Sequence, residues 1–244
     1  YYALLIANND YLNDGFNDLD TPINDAKAIK SVLKNKYGFK VELLYDATED
    51  QIQDAISSYS QILTENDNFL IYYAGHGYLN EVSQVGYWQG VDAKLGKSSS
   101  WVANSDITNE IKALKANHVI VIADSCYSGT LIVDRTSDDN ITEVKKNRRD
   151  FLKKKHNKKT RVALSSGDVG ERVADSEIGS NHSPFAESFI RVLEDNNNLL
   201  YSSEFHALIE SHMMGKDIDQ LPLWGKIIGT GHIDGGDFPF QSIE

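Results

Sequence analysis

Apolar residues recur along the chain in short unbroken runs, and the stretches between them carry apolar positions at helical spacing. Ala3-Leu4-Leu5-Ile6-Ala7 is the first run, and an uninterrupted apolar segment of this length predicts a strand covered on both faces. Thr21-Pro22 then opens a helix, with Pro at the first helical position and Ile23, Ala26, Ile29, Val32 and Leu33 along one side. Tyr37-Gly38 ends it. Phe39 to Tyr45 reads as a second strand, and Thr48-Glu49-Asp50-Gln51 is a capping box that starts a helix through Ile52, Ala55, Ile56, Tyr59 and Ile62. Further strands are predicted over Asn68 to Ala74, His118 to Ala123, Arg161 to Ser165 and Leu223 to Ile228. Further helices are predicted over Ser105 to Lys115, from Ser183-Pro184 through Leu193, and over Ser203 to Met213.

Strands that alternate with helices pair in parallel through right-handed crossovers. The expected fold class is therefore α/β, a three-layer sandwich with a mostly parallel central sheet and helices on both faces. Three segments show neither period: Gly75 to Ala103, Tyr127 to Thr160, and Ser166 to Ser183. Long connections of this kind in a compact domain are commonly functional or disordered.

Two of the predicted strands run into reactive motifs. Phe69-Leu70-Ile71-Tyr72-Tyr73-Ala74 leads into Gly75-His76-Gly77, and Val119-Ile120-Val121-Ile122-Ala123 leads into Asp124-Ser125-Cys126-Tyr127-Ser128-Gly129. Ligands in open parallel sheets bind beyond the carboxyl ends of the strands, so both side chains are expected on one edge. A thiol becomes a strong nucleophile once a neighbouring imidazole takes its proton. The flanking glycines allow close backbone approach, and the N–H groups of Gly77 and Cys126 are candidate donors to an oxyanion. Alone, a cysteine after a buried strand is ordinarily a small core residue and a histidine between glycines a turn residue. Together, each at a strand end, they predict a Cys126–His76 catalytic dyad.

The sequences Tyr-Tyr-Ala-Gly-His-Gly and Asp-Ser-Cys-Tyr-Ser-Gly resemble the two catalytic motifs of caspase-like cysteine peptidases, closest to metacaspases and their bacterial relatives. The histidine lies 50 positions before the cysteine, a spacing also found in caspases. Asn24-Asp25-Ala26, Ser165-Ser166-Gly167, His182-Ser183-Pro184-Phe185 and Gly235-Gly236-Asp237-Phe238 add to the likeness. Asp124-Ser125 before the cysteine departs from the caspase pattern Gln-Ala-Cys and follows metacaspases. The resemblance implies cleavage after Arg or Lys, with Asp25 and Asp124 as pocket acids and Ser166 as a further substrate contact. Two recessed carboxylates suit a guanidinium or ammonium group, although Asp25 in a first helical turn also fits a purely structural role. The resemblance further implies calcium activation in some members, with Asp92, Asp106 and Asp134 near the corresponding positions. Asp106 could equally belong to the first turn of its helix. The chemistry itself requires no cofactor.

Charge adds one feature. The net charge is −12, yet residues 145–161 hold ten Lys and Arg against the single acid Asp150. The remainder keeps 14 of the 24 basic and 35 of the 36 acidic side chains, a net of −21. Such an acidic body argues against general nucleic-acid binding. The basic segment follows the cysteine motif, where caspase-like enzymes carry their processing loop. It reads as an internal substrate or plug, with a solvated loop or an anion-binding loop as the alternatives. The expected organisation is one domain over residues 1–244. It comprises a large-subunit-like part to about residue 133, a processing-type loop over 134–160 and a small-subunit-like part over 161–244. One cysteine excludes an intrachain disulfide and suits a reducing, cytoplasmic setting. No apolar run reaches membrane-spanning length, and no secretory leader is evident in a chain that opens as a strand at Tyr1 and reads as cut from something longer. The expected partner is a peptide or protein with a basic residue before the cut bond, with a regulatory domain or effector outside the chain. A catalytically idle module that binds an effector on the same scaffold is the alternative.

Overall fold

The computed structural model describes residues 1–126, 128–132, 155–168, 180–214, 216 and 220–243. Six strands form the central sheet: β1 (Tyr2–Ala7), β2 (Lys40–Tyr45), β3 (Asn68–Ala74), β7 (His118–Asp124), β8 (Thr160–Ser165) and β10 (Leu223–Lys226). Their order is β10-β8-β7-β3-β1-β2. All pairs are parallel except β10, which runs antiparallel to β8.

Side chains alternate between the two sheet faces, as a pleated strand requires. Leu5, Leu70, Tyr72, Ile120 and Leu164 pack with Ala26, Ile29 and Leu33 of α1 (Pro22–Tyr37). The same layer takes Phe185 and Phe189 of α4 (Pro184–Asp195) and Phe205 of α5 (Ser202–Met213). Leu4, Ile71, Tyr73, Val119 and Val121 pack on the other face. Their partners there are Ile52 and Ile56 of α2 (Glu49–Ile62) and Ile107 and Ile111 of α3 (Asn104–Ala113). The expected three-layer α/β sandwich is the observed one.

Local chemistry explains the element ends. The Thr48–Gln51 capping box of α2 forms in full. Ser183 Oγ accepts from Ala186 N at 2.9 Å and starts α4. Gly38, at φ 68°, closes α1 in the left-handed conformation that favours glycine. Two expectations need correcting. Helix α3 starts at Asn104, not Ser105, and Asn104 Nδ2 donates to Thr130 Oγ1 at 2.6 Å. The segment from Gly75 to Ala103 is not structureless: β4 (Gly77–Asn80), β5 (Val85–Trp88) and β6 (Val102–Ala103) form a small antiparallel sheet. It packs through Trp88 and Val102 on the α2/α3 face. A second small pair joins β9 (Leu199–Tyr201) to β11 (Pro239–Gln241). No helix among the described residues is long and apolar enough to cross a membrane. Most of the basic segment lies outside the described residues, as does Asp134.

Candidate active site

Strands β3 and β7 are neighbours, with Ala74 opposite Asp124. His76 and Cys126 therefore each stand two residues beyond a matched pair, on the same carboxyl edge. The two loops meet at the backbone: a β-carbon on Gly77 would overlap the Cys126 carbonyl oxygen and come within 3.2 Å of Ser125 Oγ. Only glycine allows this approach. Cys126 is partly exposed.

The His76 imidazole is held from several sides. Its Nε2 lies 2.7 Å from the Asn17 carbonyl oxygen. A carbonyl only accepts, so this contact assigns the proton to Nε2 and leaves Nδ1 as the basic nitrogen. Its backbone N donates to Tyr11 Oη at 2.7 Å, and Tyr73 Oη lies 2.6 Å from its carbonyl oxygen. The Tyr11 ring tilts over the imidazole at 4.6 Å between centroids, with Phe16 at 5.8 Å. Burial is the main cause that pushes the Tyr11 and Tyr73 phenols well above their usual range. Both stay neutral and act as hydrogen-bonding posts rather than as acids. Tyr73 also stacks flat on Trp88, 4.4 Å away at 4°.

On the α1/α4 face lie two buried carboxylates. Asp25 is 1% exposed and Asp124 7%. Asp25 Oδ1 lies 2.6 Å from His182 Nδ1, and its Oδ2 accepts from Ser183 N at 3.3 Å. Ser183 Oγ donates to Asp124 Oδ2 at 2.6 Å. Residues 182–183 thus hold both acids. Tyr72 lies near both: burial raises its phenol far above the usual value, and Asp124 and then Asp25 add to that. Ser166 is fully buried at the end of β8, and its Oγ has no partner among the described residues. Its carbonyl oxygen accepts from Gln220 Nε2 at 2.7 Å.

Two of the three acids considered for calcium, Asp92 and Asp106, fall within the described residues. Asp92 Oδ1 accepts from Glu49 N at 2.9 Å and so caps α2. Burial raises the Glu49 carboxyl, and the charges of Asp50, Asp92 and Asp106 add to the effect. Asp134 lies outside the described residues. Among the described residues, no group of three or more His, Cys, Asp or Glu side chains could hold a metal ion.

Residues 1–221 match Peptidase C14, the caspase domain. The chain belongs to this caspase-domain family of cysteine peptidases. No curated protein matches it. Among solved structures it resembles protein GSU0716 from Geobacter sulfurreducens, at 21% identity and a TM-score of 0.66, over 99% of this chain and 98% of that one. That likeness shows the fold alone. Sequence reasoning missed Tyr11, Phe16, Asn17 and Tyr73 around the imidazole, and His182 on Asp25. The long polar connection after β1 was the available signal, since it too leaves the carboxyl edge of the sheet.

Proposed function

We propose that this caspase-domain chain is an endopeptidase that cuts after Arg or Lys, with Cys126 as nucleophile and His76 as its proton carrier. The observation that carries the reading is the contact of the Gly77 and Cys126 backbones at the edge where β3 and β7 end in register. In this reading His76 Nδ1 takes the Cys126 thiol proton, and the thiolate sulfur attacks the carbonyl carbon of the cut bond. The N–H groups of Gly77 and Cys126 donate to the oxyanion. Collapse breaks the C–N bond, and His76 passes its proton to the leaving amine. Water, deprotonated by His76, then hydrolyses the thioester and restores the thiol.

Specificity for a basic side chain is attributed to Asp25 and Asp124. Support comes from the burial of both carboxylates, because a cation that reaches groups so shielded from water interacts strongly with them. Ser166 is assigned as a further substrate contact. Processing within the basic segment and calcium activation through Asp92, Asp106 and Asp134, the last outside the described residues, belong to the same reading.

The test is a fluorogenic panel with Arg, Lys or Asp before the bond, with and without calcium, on wild type, Cys126→Ala and Asp25→Ala. The expected result is turnover of the Arg and Lys substrates, none with Cys126→Ala, and about a tenfold or greater loss of kcat/KM with Asp25→Ala, equal to ~1.4 kcal/mol. Preference for Asp, or basic-substrate turnover that survives Asp25→Ala unchanged, overturns the specificity. Turnover by Cys126→Ala overturns the mechanism.

A further inference from the structure

A cleft of about 410 Å³ opens beside His76. Its walls are Phe16 and Asn17 from the connection after β1, His76, Tyr78 of β4, Leu95 and Trp101. None of its nine lining residues is Asp, Glu, Lys or Arg, in a protein of net charge −12. Leu95 is 69% exposed and Tyr78 42%, whereas Trp101 is only 5% exposed and lies 4.8 Å from the Tyr78 ring. Gly15 and Gly96, at φ +100° and +71°, turn the two rim loops without adding a side chain. Large exposed apolar side chains gathered around a concavity mark a binding site more often than a chance surface. The volume far exceeds the share of a single water, about 30 Å³.

We propose that this cleft is a subsite for a large apolar side chain, aromatic or leucine-like, on the residue directly after the cut bond. The inference rests on the peptidase reading, and two arguments take it further. The first is chemical. His76 must hand its proton to the leaving amine, so the nitrogen of the residue after the bond sits beside the imidazole, and that imidazole is itself a wall of the cleft. The second is geometric. Successive side chains of an extended peptide point to opposite sides. A basic side chain held by Asp25 and Asp124 lies on the Tyr72 side of the sheet. Its successor points to the Tyr73 side, where the small sheet that bears Tyr78 packs. The bond from His76 Nε2 to Asn17 ties the Phe16–Asn17 wall to the imidazole, so a side chain seated there also steadies the proton carrier.

The experiment uses internally quenched peptides with Arg before the bond and Phe, Leu, Ala, Gly or Asp after it, on the full chain and on Leu95→Ser, with and without calcium. An Arg-coumarin amide, which has no residue after the bond, runs alongside. The thermal midpoint of Leu95→Ser verifies folding, which its exposed position favours. For wild type the Phe and Leu peptides are expected to exceed the Gly and Asp peptides about tenfold in kcat/KM. Leu95→Ser is expected to bring the Phe-to-Gly ratio severalfold closer to one. A flat series, a preference for Gly or Asp, or a ratio untouched by Leu95→Ser overturns the subsite while leaving the peptidase reading intact. Failure to cut any peptide or the coumarin amide overturns both.

Discussion

His76 and His118 stand at opposite ends of the same pair of strands, one just past the carboxyl end of β3 and the other opening β7. At the amino end the polar side chains turn into the fold, with only His118 Nε2 and Arg161 Nε lacking a hydrogen-bond partner among the described residues of this cluster. His118 is 2% exposed, and its Nδ1 lies 2.6 Å from Asn68 Oδ1. Nearby, the buried Arg161 guanidinium donates to the carbonyls of Leu114, Ala116, Asn117 and Thr160. Lys155 meets Asp237 at 2.7 Å and lies over the Tyr201 ring. At the carboxyl end the backbone anchors His76, but its ring faces a cleft and its neighbour Cys126 is partly exposed. The same residue type closes one end of the sheet and borders a cleft at the other. What separates the two is whether the surrounding loops leave room for a ligand.

The sharpest way to break this contrast is to exchange the fates of the two histidines. His76→Ala is expected to lower kcat/KM about a thousandfold or more with little change in the melting midpoint, because general acid–base help is lost and no core contact is. His118→Ala is expected to do the reverse, measured by the same assay and a thermal melt. Next in size, Arg161→Ala removes the guanidinium donor from four carbonyls at the amino end, of which Asn117's keeps Thr160 N, and is expected to cost about 3 kcal/mol in a urea titration. A loss below about 1 kcal/mol contradicts the account of that end as a polar knot.

Acid separates the ends in another way. Burial, with His156 second, lowers His118 from 6.5 to about 4, and burial lowers His232 as well. Above pH 6.5 folded and unfolded chains both carry these imidazoles neutral. Between 6.5 and about 4 only the unfolded chain takes up the proton at His118, so stability falls with pH through that window and levels below it. The His118 share is up to about 3 kcal/mol. His118→Asn is expected to flatten the denaturation midpoint between pH 6.5 and 5, and an unchanged slope refutes the assignment. The smallest effect belongs to the acidic pair. His182→Ala removes a partner from the buried Asp25. It is expected to raise KM for Arg substrates severalfold with kcat nearly constant, and to cost about 1 kcal/mol of stability. A fall in kcat alone contradicts a positioning role.

Much of the fold was legible because the central strands are buried on both faces. Asn68–Ala74 and His118–Asp124 read as continuous apolar runs and were bounded almost to the residue. The small sheet β4–β6 was not legible, since Gly-Tyr-Leu-Asn and Val-Gly-Tyr-Trp show no clean alternation. Its pairing depends on packing Trp88 and Val102 over α2 and α3. In the candidate site, His76 and Cys126 were visible because strand, glycine and reactive residue stand together in the chain. Tyr11 and Asn17 were not, because their link to His76 spans 65 and 59 positions.

By itself, then, the sequence determined the parallel core and the two reactive loops, since each is written in local order as apolar runs and glycine flanks, while Asp25 and Asp124 were singled out by the family resemblance. The tertiary structure alone decided which imidazole nitrogen carries the proton, that His182 rests on Asp25 from 157 positions away, and that an uncharged cleft borders His76. Hydrogen bonds and cavity walls between distant loops follow no period along the chain. They arise only when the sheet brings those loops to one edge.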